Sequence, residues 1–311
     1  MRHIAVLAVT LVALAMGVSP AAAEEDPFDT LWEQQTGRPS FSITTPDITG
    51  QPHTIEYVDI DGHAVTEGDI VIGTSLDAAS GKIEMPGIFP KVTSSTAPRL
   101  ETPTLDPPAR PGDCRVPEGA ATTQARALWP DGKVPYVLDP ELSTTAREAI
   151  GQAMRDFHDS TCVRFIPRTD EAGFLNIFPG NGCYSYVGRI GPEEQDVSIG
   201  KGCERKGVAI HELLHAIGFF HEHSRSDRDS ALTVHLENVA KGYESQFQKL
   251  APPQNRLFSP LDYGSVMLYG RNFFSSNGKD TLVPSVPVKI GQRIGFSPAD
   301  LDAVRALYGC P

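Results

Sequence analysis

Residues 211–229 read HELLHAIGFFHEHSRSDRD, and this stretch constrains the fold more than any other. His211 and His215 are four apart, so on a helix they lie on one face, one turn above the other. His221 follows six residues later, which is not a same-face spacing. The helix must therefore end after His215, and the chain must turn back before His221. Gly218 is the residue suited to that turn, because positive φ costs glycine little.

Three imidazoles brought to one point are a set of ligands for zinc. H-E-x-x-H on a helix carries this chemistry, with the glutamate as general base. Three protein ligands leave a fourth position for water, whose pKa zinc lowers to near 7. Glu212, next to His211, can take a proton from that water and later protonate a leaving amine. A bare H-E-x-x-H arises on helices by chance. Here it is extended to H-E-x-x-H-x-x-G-x-x-H, and a turn containing Met267, SVMLYG at 265–270, follows downstream. The longer signature requires such a turn, and its polarizable methionine suits an apolar floor beneath the histidines.

The first 23 residues read as a secretory leader. A basic start at Arg2 and His3 precedes an apolar run and a small-residue AAA at 21–23. That run is short for a bilayer span, and no later segment is long and apolar enough to cross a membrane. A secreted chain with five cysteines (Cys114, Cys162, Cys183, Cys203 and Cys310) is expected to hold disulfides, with one cysteine left over.

The overall charge of −12 is uneven. Residues 24–119 hold 17 acidic and 6 basic side chains, a net of −11; residues 120–311 hold 22 and 20, a net of −2. The second part has no basic excess, which argues against a nucleic-acid partner.

Residues 24–92 contain short strand-like runs, HTIEYVDI and GDIVIG. Residues 93–113 are rich in Pro, Thr and Ser and lack periodicity, as linkers are. From about Leu128 a compact domain begins. KVPYVLD, CVRFIPR and FLNIFPG read as strands. Residues 143–161 read as a helix capped by Ser143 or Thr144, with Ala146, Ile150, Met154 and Phe157 on one face. Residues 297–309 read as another, with Ser297 as N-cap and Pro298 at the first position.

HELLHAIGFFHEHSRSDRD together with SVMLYG resembles the astacin family of zinc metallopeptidases, within the metzincins. RALWPDGKVPY, CVRFIPR, GCYSYVGRIG and the closing LYGC resemble other fixed points of that family, so the likeness covers roughly residues 120–311. It implies an α+β domain of two subdomains around a deep active-site cleft, preceded by a small propeptide. It implies His211, His215 and His221 as ligands of one Zn²⁺, Glu212 as general base and Met267 as the Met-turn methionine. Tyr269 matches the tyrosine that ligates zinc at rest and later stabilises the oxyanion. Glu222 matches the partner of the mature N-terminus. The implied disulfides are Cys162–Cys310 and Cys183–Cys203. Leu268 departs from the histidine that many members carry there.

The same likeness divides the chain into a leader (1–23), a propeptide (24–119) and a peptidase domain (120–311). Within VTEGDIVIG, Asp69 resembles the latency aspartate that ligates zinc in place of water, although Thr66 replaces the usual aromatic residue. A solvated turn between two strands is the plain alternative for Asp69. Cys114 is a rival latency ligand, since a thiolate binds zinc well. The expected protein is a secreted, monomeric endopeptidase that acts on protein or peptide substrates and has no stable membrane association. A single catalytic domain and an Ala-rich leader suggest a bacterial source. Maturation is expected between Gly119 and Ala120, and Arg271 is a candidate for the primed side of the cleft. A catalytically dead relative acting as a binding module is the other class of function; casein hydrolysis abolished by a chelator separates the two.

Overall fold

The computed structural model of the chain describes residues 38–83, 85, 88 and 119–311. The leader, the linker at 93–113 and Cys114 lie outside the described residues. No described helix is long and apolar enough to cross a membrane.

The N-terminal portion forms β1 (Ser40–Pro46), β2 (Pro52–Ile60), β3 (His63–Thr66), β4 (Ile70–Thr74) and a short helix α1 (Ser75–Ala79). After the undescribed stretch come β5 (Ala120–Ala121), β6 (Lys133–Leu138), α2 (Thr144–Ser160), β7 (Arg164–Pro167), β8 (Phe174–Phe178), β9 (Cys183–Tyr186), β10 (Glu194–Ile199) and α3 (Lys206–Ala216). Short turns follow, together with a pairing of Leu232–Val234 with Leu282–Pro284, and α4 (Pro298–Tyr308) closes the chain.

Helix boundaries follow local chemistry. Ser143 caps α2 by accepting from the Ala146 N–H. Ser297 and Asp300 form a capping box on α4, Pro298 sits in its first turn, and Gly309 ends it in the left-handed conformation. Ala146, Ile150, Met154 and Phe157 of α2 all face the core, where Phe157 packs edge-on against Phe165 and Phe296. Truncating so large a buried ring typically costs about 3–5 kcal/mol.

Residues 40–74 and residues 133–199 contribute strands to one sheet, which the sequence does not announce. Its order is β1-β2-β3-β4-β9-β10-β8-β6-β7. Within residues 120–311, β9 would be an edge strand with unpaired backbone groups. β4 covers that edge in parallel, with Ile70 opposite Ser185 and Val71 opposite Tyr186. Pairing satisfies N–H and C=O groups that an open edge leaves to solvent.

Two helices lie on one face of this sheet and share a core with it: α2 contributes Ile150 and Phe157, α3 contributes Val208 and Leu213, and β8 contributes Leu175 and Ile177. Both implied disulfides are formed. Cys162–Cys310 ties the end of α2 to the chain terminus, and Cys183–Cys203 ties β9 to the loop before α3.

Candidate metal centre

α3 is buried on all sides, so its histidines face protein rather than water. The helix ends where expected. Gly218 has φ of 113°, and its N–H returns to the His215 carbonyl at 2.8 Å. A Cβ at Gly218 would stand 2.9 Å from Thr122 Cγ2, so close packing as well as backbone angle favours glycine. The turn brings His221 back to the two helical histidines. The Nε2 of His221 lies 3.3 Å from that of His215 and 3.3 Å from that of His211.

The outer nitrogens fix the ring orientations. His211 Nδ1 donates to the Val266 carbonyl at 2.8 Å, and His215 Nδ1 donates to the Phe219 carbonyl at 2.8 Å. His221 Nδ1 donates to the Glu67 carboxylate at 3.0 Å. With each Nδ1 donating outward, each Nε2 faces the common centre: it donates to Asp69 where the ring is protonated and offers a lone pair once the ring is neutral. Lone pairs this close repel unless a cation lies among them. The donor set of three imidazole nitrogens therefore fits zinc.

Asp69 enters this centre from the turn between β3 and β4. Its carboxylate lies 3.0 Å from His211 Nε2, 3.0 Å from His221 Nε2 and 3.6 Å from His215 Nε2. The four side chains form one buried cluster whose ligand atoms all lie within 4.8 Å of one another. Asp69 follows a tight turn in which Glu67 and Gly68 both have positive φ and Asp69 N–H bonds the Thr66 carbonyl. It is thus a turn between two strands, but a buried one. Gly68 is tightly packed as well as left-handed, since a Cβ would meet Phe274 Cζ at 3.1 Å.

Burial pushes the Asp69 carboxyl up, but His221 and the hydrogen bonds from all three imidazoles hold it well below the usual range. Burial likewise pushes His221 down, yet Asp69 and Glu67 lift it to about 9. Burial leads in lowering His211 to about 3.

Glu212 is fully buried beside the cluster, and neither carboxylate oxygen has a hydrogen-bond partner among the described residues. Burial raises its pKa well above 4.5, Asp69 adds to the rise, and Arg293 opposes it. Perturbed, unpartnered carboxyls of this kind mark functional sites.

Tyr269 is buried, with its ring 4.7 Å from that of His221 and 3.7 Å from that of His223. Its hydroxyl donates to the Glu67 backbone carbonyl. Met267 is buried, and its carbonyl accepts the Glu222 N–H at 3.0 Å, which ties the Met-turn to the residue after the third histidine.

Glu222 is already engaged: its Oε1 accepts from Arg225 at 3.1 Å and from the Asp262 N–H at 2.9 Å. Burial raises it to about 7 against the pull of Arg225. Arg271, a sequence candidate for the cleft, pairs with Asp280 at 2.7 Å and donates to the Val288 carbonyl. Its guanidinium is thus committed within its own loop.

The resemblance places Glu67 in the Glu67-Gly68-Asp69 latency motif but gives it no contact of its own. Glu67 orients His221, accepts from Ser224 Oγ at 2.9 Å and gives its carbonyl to Tyr269. It belongs to a second buried cluster with His221 and His223, built on the outer nitrogen of the same histidine. Asp300 was also missed. Besides α4, it holds Ser265 Oγ at 2.6 Å and the Val266 N–H at 3.0 Å, and Val266 in turn orients His211. Acid–glycine dipeptides between alternating runs, Asp61-Gly62 and Glu67-Gly68, were the available signal for the two hairpins.

The sequence model of the peptidase family described as Astacin matches residues 121–309. "Zinc metalloproteinase nas-15" of Caenorhabditis elegans is 42% identical over 187 residues, which cover 59% of this chain and 33% of the relative. "Astacin-like metalloprotease toxin 1" of Loxosceles intermedia is 40% identical over 215 residues, covering 64% of this chain and 80% of the relative. Among solved structures, high choriolytic enzyme 1, a hatching enzyme zinc-protease from Oryzias latipes, is similar with a TM-score of 0.55 at 40% identity, covering 60% of this chain and 93% of that one. The match spans 33%, 43% and 62% of the length of three nematode relatives, so it covers only part of them.

Proposed function

Since the chain belongs to the astacin family of peptidases, we propose that it is a secreted zinc endopeptidase made as a latent precursor. The observation that carries this reading is the Asp69 carboxylate seated among three convergent imidazole nitrogens. His211, His215 and His221 would hold one Zn²⁺, which supplies Lewis acidity toward water and toward a peptide carbonyl. In the precursor Asp69 occupies the place that the attacking water needs. Cys114, the rival for that role, lies outside the described residues.

Once Asp69 leaves, Glu212 accepts the proton of the attacking water and returns it to the departing amine. Its raised pKa favours the second half of that task. Tyr269 loses the Glu67 carbonyl at the same moment, because both belong to one turn of the propeptide. Its hydroxyl is then available to donate to the developing oxyanion. The carbonyls of Val266 and Phe219 stay in place and keep His211 and His215 oriented. His221 loses Glu67, its partner in the precursor.

Cleavage before Ala120 frees an α-amino group, and we assign Glu222 as its partner. The Ala120 carbonyl already accepts from Phe220 N–H at 2.9 Å, which supports a position near that glutamate. Both hydrogen bonds that Glu222 makes among the described residues fall on Oε1, so Oε2 is the oxygen assigned to the new amine. β5 already pairs with Arg256–Leu257 in the uncut chain. In this account the cut uncovers a formed cleft more than it orders a loose one. The test is casein hydrolysis by the processed protein. Activity should appear once the cut N-terminal segment has been removed, vanish with a zinc chelator and return with added Zn²⁺. A processed, metal-loaded protein that cleaves neither casein nor gelatin would leave only a binding role.

A further inference from the structure

We propose that the sheet face opposite α2 and α3 is a second binding surface for the propeptide, independent of the metal, which keeps the excised segment on the enzyme after the chain is cut. The inference extends the latency reading above, but it concerns a different set of contacts.

Side chains alternate along β9. Cys183 joins the core shared with the helices, whereas Tyr184 and Tyr186 belong to a separate apolar cluster. Val58, Ile60, Val65 and Val71 of the propeptide complete that cluster, so the β2–β3 hairpin lies over the far face of the peptidase sheet. The hairpin turns through Asp61 and Gly62 with φ of 54° and 83°, a two-residue turn with both residues left-handed.

The tip carries an acid and a base two residues apart, and the sheet meets each with its complement. The Asp61 carboxylate accepts from the Asn181 N–H at 2.7 Å, from the Asn181 side-chain amide at 2.5 Å and from Tyr184 OH at 2.9 Å. Burial raises its pKa, but the Asn181 and Tyr184 hydrogen bonds outweigh this and hold it below the usual value. His63 Nε2 lies 3.1 Å from Asp196 Oδ2, and Asn176 holds the other oxygen of Asp196 at 2.8 Å. The His63 ring also lies 5.5 Å from that of Tyr184.

On the other flank the propeptide is gripped by the 245–254 region. Ser245 Oγ donates to Glu56 at 2.7 Å, and buried Gln254 donates to Asp47 at 2.8 Å. None of these residues belongs to the metal-ligand cluster. Both disulfides lie within residues 120–311, so neither links the two portions covalently. A cut therefore breaks the tether and leaves the complementary surfaces intact.

The test uses the full chain with a specific protease site inserted in 93–113. After cutting, the two fragments are followed by gel filtration and native mass spectrometry over a dilution series, with and without a zinc chelator. They should co-migrate in both conditions. Asp61→Asn keeps a residue that tolerates the turn but sets an amide against the Asn181 donors. Tyr184→Phe removes one donor and keeps the ring. Each should weaken retention about tenfold, the expected scale for one charge-assisted hydrogen bond, and the two effects should not add. Fragments that separate on cutting, or on chelation alone, would overturn the proposal. So would variants retained as tightly as the parent chain. Casein hydrolysis by the separated catalytic fragment is read in parallel. Its failure would count against the protease reading and leave the retention result standing.

Discussion

Replacing Glu212 by glutamine should separate stability from activity more cleanly than any other change at this site. Glu212 makes no hydrogen bond among the described residues, so glutamine forfeits no partner there. The two side chains are nearly isosteric, so no cavity forms. What changes is the charge. The folded-state pKa of Glu212 is raised, mainly by burial and then by Asp69. A carboxyl with a raised folded pKa contributes no penalty below its unfolded pKa near 4.5, and stability is lost as pH rises from there toward the folded pKa. Glutamine removes that loss. The metal-free E212Q precursor should therefore match the parent at pH 4 and exceed it at pH 7 in urea denaturation. Activity should move the opposite way. An amide cannot accept the proton of the attacking water, and general acid–base contributions run to about 10²–10⁴-fold. That factor corresponds to roughly 3–5 kcal/mol of transition-state stabilisation at about 1.4 kcal/mol per decade. Casein and short-peptide turnover of the processed, zinc-loaded variant would measure it, with metal content checked separately. Retention of more than about a tenth of the activity would refute the assigned role; so would loss of the metal or of the fold.

Removing Cys162–Cys310, which closes a loop of sequence separation 148, should cost about 5 kcal/mol by loop entropy, and removing Cys183–Cys203, with separation 20, about 3 kcal/mol; denaturation of the paired alanine variants would check the order, and a reversed order would count against it. Asp300 is raised to about 6, chiefly by burial, so its contribution is present below pH 4 and lost as pH rises through 6. The stability advantage of the parent over D300N should thus shrink by roughly 3 kcal/mol across that window, and a pH-independent difference would refute the assignment. Gly119 has φ of 123° and a Cβ there would stand 2.9 Å from Ala303 Cβ, so Gly119→Ala should destabilise the β5 end by about 1–3 kcal/mol and speed proteolysis at the junction. Edman sequencing of processed protein should find Ala120 first, and a fully active protein starting many residues away would exclude that cut.

Local chemistry was legible in the sequence where a residue acts on its near neighbours. Ser143, Ser297 and Gly309 bound their helices, Gly218 ends α3, and the spacing of the three histidines carries the shape of the centre they form. Each of these depends on backbone within a few residues, so a window of sequence contains the whole cause. Asp69 was legible only through resemblance, because its partner His211 lies 142 residues away and nothing near Asp69 requires it to be buried. Glu67 is a sharper case. Its contact with His221 spans 154 residues, and its side chain in isolation reads as one more acid in an acidic segment. In sequence the acids of the N-terminal third show only as a bulk charge imbalance. The structure gives individual acids individual addresses: Asp47 on Gln254, Glu56 on Ser245, Asp61 on Asn181 and Tyr184, Glu67 on His221, Asp69 at the centre. Only β4 pairing with β9 brings all five to their partners. That pairing depends on an edge strand more than a hundred residues downstream being open to take it. An edge is a property of an assembled sheet, and no stretch of sequence shows it before the sheet exists.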